Sequence, residues 1–379
     1  MRPVSVRILH PEPDPAAGPL GRWVAEARRH LAEDHRVAFL AAGATDASIV
    51  SGPPDDTPFG ARLRAIVRAD RPAGLIVLGS GAIPLATARD RRNLVTAAGD
   101  PGRIALANNR YSADVVAVAR AETLAEVPDL PGDNALPRWL EEVADYEVRD
   151  LRRRWHLAID IDGPLELLLL GYHAEAGDPN ACGIDLAPAS DRRVAIRGVA
   201  EDRRGELLVA GRTSAATLAW LEGHAAARVR AWVEERGLRA NSRLAQSRDA
   251  VWRDVRPPGS VLGALLEHDG PGSLGDLLAR FGDAAIVDSR VLIAHRFGPD
   301  ETAWPIAEDR FASDLLLPHA IADPWLRELT ASAAAAPIPI LLGGHTLVGP
   351  GVRLVVGKPS ARGARWTRGA QGARGARWK

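Results

Sequence analysis

The sequence predicts an α/β protein: a three-layer, mostly parallel sheet with helices on both faces over residues 1–170, followed by a second α/β domain over 171–357. Three observations carry this expectation. Apolar runs of strand length alternate with amphipathic helical segments through the first half. Near Gly171 the texture changes to the glycine, proline and small polar residues of a connection, "GYHAEAGDPNACGIDLAPASDRR", and the alternation then resumes. At 379 residues the chain also exceeds the usual size of one core.

In order, "VSVRIL" is a short strand, and "LGRWVAEARRHL" places Leu20, Trp23, Val24, Ala27 and Leu31 on one helical face. "ASIVSG" is a strand, "GARLRAIVRA" a helix, and "GLIVLG" a fully apolar strand of the kind buried on both faces. Next come "RRNLVTAA" as helix, "RIALANN" and "SADVVAVA" as strands, and a long helix around "LPRWLEEVADYEVRDLRRRW". The stretch "HLAIDIDGPLEL" then reads as a closing strand, a turn and a helix. In the second half, "ELLVAGRTSAATLAWLEGHAAARVRAWVEERG" reads as a strand, a turn and a long helix, with Thr213 or Ser214 as N-cap and Gly237 as C-cap. "AAIVDSRVLIAH" and "PIPILLGG" are buried strands, with "WLRELTASAAA" a helix between them.

Composition narrows the function classes. Lys+Arg and Asp+Glu both number 48, so no strong global field gathers nucleic acid. The exception is the stretch 358–379, "KPSARGARWTRGAQGARGARWK", which carries only positive charges and reads as a disordered basic tail. The single cysteine, Cys182, excludes an intramolecular disulfide and a zinc site built on several thiolates, and fits a reducing compartment. No apolar run has the length of a signal peptide core or a membrane span, so the expectation is a cytoplasmic protein with no membrane partner. The only lysines are Lys358 and Lys379, which leaves no catalytic or P-loop lysine in the body of the chain.

In open α/β sheets ligands sit beyond the carboxyl ends of the strands, so the loops after "GLIVLG", "RIALANN" and "LAIDID" are where a site is expected. The phrases "LIVLGSGAIPLAT", "LANNRYSADVVAVA" and "LAIDIDGPLEL", in that order, resemble the GT-A-like, nucleotide-diphospho-sugar-transferase fold of small nucleotidyltransferases. Phospholactate guanylyltransferases and molybdenum-cofactor guanylyltransferases, both enzymes of cofactor synthesis, are the members they look most like. The resemblance covers roughly residues 1–170. It implies transfer of a nucleotide to a phosphorylated small molecule, with Asp160 and Asp162 holding Mg²⁺ and with Ser80, Asn108, Asn109, Arg110 and Tyr111 lining the nucleotide site. Two departures stand out. The first strand leads into "HPEPDPAAGPLGRW", whose prolines at 11, 13, 15 and 19 remove backbone donors that a Gly-rich phosphate loop needs. Ser80 stands nearest the place of the family's other metal-binding aspartate, and a neutral hydroxyl is a poor ligand for Mg²⁺. The alternative is therefore a catalytically degenerate nucleotide- or cofactor-binding protein on the same fold.

Each candidate also has a purely structural reading. Asp162 could cap the following helix and Asp160 pair with an arginine such as Arg154. Asn108 and Asn109 could form an ordinary turn, and Asp56 or Thr57 could cap a helix. In the second domain, Gly211, Arg212, Thr213 and Ser214 open a helix right after a strand and make a possible anion site, or simply a cap. Asp283, Asp288, Arg290, His295, Asp309, Arg310 and Asp314 have no metal-ligand spacing and read as structural ion pairs or a functional cluster, and His345 follows two glycines at a strand end, which alone is a weak signal.

Overall fold

The structure, a computed structural model, describes residues 2–130, 132–171, 183–235, 259–298 and 300–357. Cys182, Gly237 and the basic stretch 358–379 lie outside the described residues. The chain divides into two compact units: Met1–Ala16 with Ala25–Ile161, and Ala17–Val24 with Asp162–Lys379. Both are α/β, and no helix among the described residues is long and apolar enough to cross a membrane.

The first unit holds a six-stranded sheet. Its strands are β1 (Val4–Pro11), β2 (Asp46–Gly52), β3 (Gly74–Gly79), β4 (Ile104–Ala107), β5 (Val115–Ala119) and β6 (Glu147–Asp150), in the order β2-β1-β3-β5-β4-β6. The pairs β1–β2, β1–β3 and β4–β6 are parallel, and β5 runs antiparallel to β3 and β4. The short reversal 108–114 explains this: so few residues join neighbouring strands only antiparallel. Strand alternation sends residues to two faces. Leu75, Val77, Val116 and Val118 pack with Leu63, Ile66 and Val67 of helix α2 (Phe59–Asp70) and with Trp139 and Leu140 of α4 (Leu136–Glu142). Val6, Ile8, Ile76, Leu78 and Ala117 pack on the other face, with Ala32 and Phe39 of α1 (Pro19–Ala41) and Leu94, Val95 and Ala98 of α3 (Ala88–Ala98).

The second unit holds four parallel strands, β7 (Glu206–Gly211), β8 (Arg228–Val233), β9 (Ala284–Asp288) and β10 (Ile340–Gly343), in the order β10-β9-β7-β8. Its helices include α5 (Pro164–Leu170), α6 (Ala187–Glu201), α7 (Ala215–His224), α8 (Val261–Asp269), α9 (Leu274–Ala279), α10 (Ser289–Phe297), α11 (Ala307–Asp314) and α12 (Pro324–Ala335).

Three elements differ from the sequence reading. The long helix expected over 136–155 ends at Glu142; Asp145 adopts φ 58°, and Glu147–Asp150 forms the edge strand β6 with only Val148 buried. The helix expected to run to Gly237 likewise stops at His224, and the exposed edge strand β8 follows. The stretch read as a closing strand is a 3₁₀ turn, Trp155–Leu157, followed by a single bridge between Asp160 and Ala82.

Candidate functional site

From β1 the chain of the first unit builds β2 on one side and then β3 on the other. The carboxyl ends of β1 and β3 therefore frame a switch point, the usual place for a ligand in such sheets. Two buried polar side chains meet there: His10 Nδ1 and Ser80 Oγ share a hydrogen bond of 3.1 Å. Burial pushes the His10 imidazole below its ordinary pKa, and the positive charges of Arg28 and Arg29 push the same way, so it is held neutral.

The loop that follows β3 is over-determined. The Ile161 N–H donates to Gly81 O at 3.0 Å, next to the Ala82–Asp160 bridge. His35, fully buried on α1, donates from Nε2 to Ala82 O at 2.8 Å, and its Nδ1 accepts from Arg91 at 3.3 Å. Arg91 also donates to Ala86 O at 2.7 Å. Within this loop Ile83 sits at φ 45°, a strained conformation for a β-branched residue. Burial, with Arg91 alongside, lowers the His35 pKa to about 3.

Gly81 allows the closest approach. A Cβ there would lie 2.8 Å from Asp160 Oδ1, 2.9 Å from Ile161 O and 3.1 Å from Arg28 Nε. Arg28 Nε itself donates to Ile161 O at 2.7 Å. The loop bearing Ser80 and the Asp160 stretch are thus brought together, with a guanidinium beside them.

The remaining sequence candidates of this unit fall out differently. Asn108 Nδ2 donates to Asp114 (2.7 Å) and to Leu157 O (3.0 Å), while its Oδ1 accepts from the N–H groups of Asp114 (3.0 Å) and Val115 (3.3 Å). Both donors and both lone pairs are engaged, so the amide closes the β4–β5 reversal and has no edge left for a base. Asn109 Oδ1 accepts from the Tyr111 N–H at 2.9 Å, and Arg110 pairs with Glu141. Tyr111 is exposed, with the guanidiniums of Arg110 and Arg152 at 5.6 and 5.7 Å from its ring centre. Arg154 pairs with Asp90 at 2.6 Å rather than with Asp160. Asp55, not Asp56 or Thr57, makes the side-chain turn before α2, accepting the Thr57 N–H at 2.9 Å.

Asp162 belongs to the second unit, where it is exposed. The cap on the following helix comes from Glu166, whose Oε2 accepts the Gly163 N–H at 2.9 Å. Glu166 is buried, and burial together with the charges of Asp162 and Asp314 raises its pKa to about 8. Arg290 grips the buried Asp314 with bonds of 2.8 and 2.6 Å. Arg212 holds the buried Asp288 in the same way, at 2.6 and 3.0 Å. Burial raises the Asp288 pKa, but Arg212 outweighs it and the carboxyl stays below its ordinary value. Asp288 also caps α10 by accepting the Arg290 N–H at 3.2 Å, which is why the apolar run beyond it is helix and not strand. Ser214 is the N-cap of α7, accepting the Thr217 N–H at 3.2 Å. Of the other charged candidates, Asp309 accepts the N–H groups of Ala322 and Asp323, Asp283 accepts that of Glu206, and His295 Nδ1 accepts that of Ser260.

The Mg²⁺ that the resemblance implies finds a poor fit. Ser80 is neutral and already bonded to His10, Arg28 lies close to Asp160, and the described residues hold no group of three or more His, Cys, Asp or Glu placed around one ion. Sequence reasoning missed Arg28, His35 and Arg91. For His35 a signal existed, because Ala27, Leu31, His35 and Phe39 recur at four-residue spacing on one buried stripe of α1. In comparison with known proteins, the chain matches no protein family and no curated protein.

Proposed function

We propose that this is a divergent nucleotidyltransferase-like protein of the cytoplasm. In this reading it binds a nucleotide or a phosphorylated cofactor at the carboxyl edge of the first unit's sheet, without the metal-centred transfer step. The resemblance of the three loop phrases supplies the ligand class. One structural observation carries the reading: Gly81–Ala82 and Asp160–Ile161 meet at the switch point beside Arg28. The Arg28 guanidinium, held by its bond to Ile161 O, brings a fixed positive charge to that edge, the task a divalent ion performs elsewhere. Gly81 is buried, and its missing side chain is what lets the Asp160–Ile161 stretch and Arg28 close on the β3 loop.

The competing reading is an active enzyme that transfers a nucleotide to a phosphorylated small molecule with Asp160 and Asp162 as Mg²⁺ ligands. The position of Asp160 against the β3 loop favours it, and the engaged Ser80 hydroxyl counts against it. Thermal denaturation with each common nucleoside triphosphate, in Mg²⁺ and in EDTA, separates the two. Binding without transfer predicts a rise for at least one nucleotide that is equal in EDTA, about 2.7 kcal/mol at 100 times its Kd, and abolished in Arg28→Ala. A rise found only with Mg²⁺ and removed by Asp160→Asn would establish the transfer reading instead. No rise with any nucleotide would sink both.

A further inference from the structure

We propose that the turn Arg212–Ser214, at the carboxyl end of β7 in the second unit, binds the phosphate group of a small phosphorylated molecule, with the Thr213 hydroxyl and the first N–H groups of α7 as its donors. This site is separate from the nucleotide site proposed above and does not depend on it.

The topology selects the place. From β7 the chain builds β8 on one side and then β9 and β10 on the other, so the ends of β7 and β9 frame this sheet's own switch point. Gly211 brings those two ends together. It adopts φ 128°, and a Cβ on it would collide with the Asp288 side chain, so only glycine fits.

The Thr213 hydroxyl points to a missing partner. Thr213 is more than nine-tenths buried, and its Oγ1 has no hydrogen-bond partner among the described residues. Buried hydroxyls are ordinarily bonded, and an orphan at a strand end is the kind of group a ligand completes. Its neighbours are donors. The Ser214 hydroxyl serves Thr217, which leaves the N–H groups of Ala215 and Ala216 as the first-turn donors of a ten-residue helix. The charge balance also suits an anion. Asp288, the nearest carboxylate on β9, is neutralised by two bonds from Arg212, so the positive end of α7 is not opposed by a bare negative charge. An unbonded hydroxyl beside the first N–H groups of α7, with Asp288 held by Arg212, suits a phosphate rather than a cation.

Titration of the full-length protein with inorganic phosphate tests this, read by the backbone amide resonances of Ala215 and Ala216 and by the melting temperature. The wild type is expected to show saturable movement of both amides and a higher melting temperature. Thr213→Val, which replaces an unbonded hydroxyl with a methyl, should melt at or above the unliganded wild type and bind phosphate about tenfold or more weaker. Thr213→Ser should bind as the wild type does. Amides that stay fixed while the melting temperature rises would assign the phosphate to another place and overturn the proposal. So would Thr213→Val binding with unchanged affinity. If Thr213→Val does not fold, the wild-type amides and Thr213→Ser still decide.

Discussion

His10 Nδ1 and Ser80 Oγ meet at 3.1 Å across the carboxyl ends of two neighbouring parallel strands, and both side chains are almost wholly buried. Each is the other's answer to the cost of a buried polar group. Ser80→Ala removes one partner and leaves the imidazole nitrogen without it. The expected loss is about 1–3 kcal/mol of unfolding free energy, measured by urea denaturation at pH 7.5, where His10 is neutral in both states. A loss below about 0.5 kcal/mol, the range of an ordinary surface substitution, would show that the bond carries no weight.

His35 makes the first unit sensitive to acid. Its folded pKa of about 3 lies below the ordinary 6.5, so between those values the unfolded chain takes up a proton that the native state refuses. Its contribution to stability therefore falls as pH drops from 6.5 toward 3, by about 1.4 kcal/mol per pH unit. The cause is visible in the bonding: Nε2–H faces Ala82 O, and a proton on Nδ1 would face the Arg91 guanidinium. Ring resonances of His35 should stay those of neutral imidazole down to about pH 4; a midpoint near 6.5 would contradict this.

Glu166 gives the second unit the opposite dependence. Its folded pKa of about 8 lies above the ordinary 4.5, so the native state holds a proton that the unfolded chain has released. Stability from this group declines as pH rises from 4.5 to 8, again by about 1.4 kcal/mol per pH unit. Glu166→Gln keeps an acceptor for the Gly163 N–H and carries no titrating proton. It should match the wild type near pH 4.5 and unfold at higher temperature at pH 8. Equal pH profiles for the two proteins would refute the assignment.

The Arg290–Asp314 pair is enclosed in the second unit, with side chains 12% and 3% exposed. Asp314→Ala leaves a buried guanidinium without its two bonds, and the expected cost is about 3–5 kcal/mol. A double variant that also replaces Arg290 with Met should recover much of that loss, as measured by denaturant unfolding.

The strands that form the middle of each sheet were legible because they are buried on both faces and read as unbroken apolar runs, as in Leu75–Leu78 and Leu207–Ala210. The edge strands β6 and β8 were not. Their outward residues, among them Glu147, Arg149, Arg228 and Arg230, carry charges that continue the periodicity of the helix before them. At the site, the loops holding Ser80 and Asp160 were located from their places after apolar runs, and the structure brings them together. What Asn108 does was not legible, since an Asn-Asn pair looks the same whether its amide turns inward to Leu157 O or outward to a ligand. The buried proton of Glu166 was equally hidden, because it arises first from burial, which only the packed structure sets, with the charges of Asp162 and Asp314 adding to it.

The β3 loop is fastened at Gly81 O by Ile161, at Ala82 O by His35 and at Ala86 O by Arg91. A segment clamped at three carbonyls across six residues cannot serve as a lid. Whatever docks against it meets a surface already in its final shape. The kinetic signature is a one-step encounter, with an observed association rate that climbs linearly with ligand concentration and never reaches the plateau of a gated step.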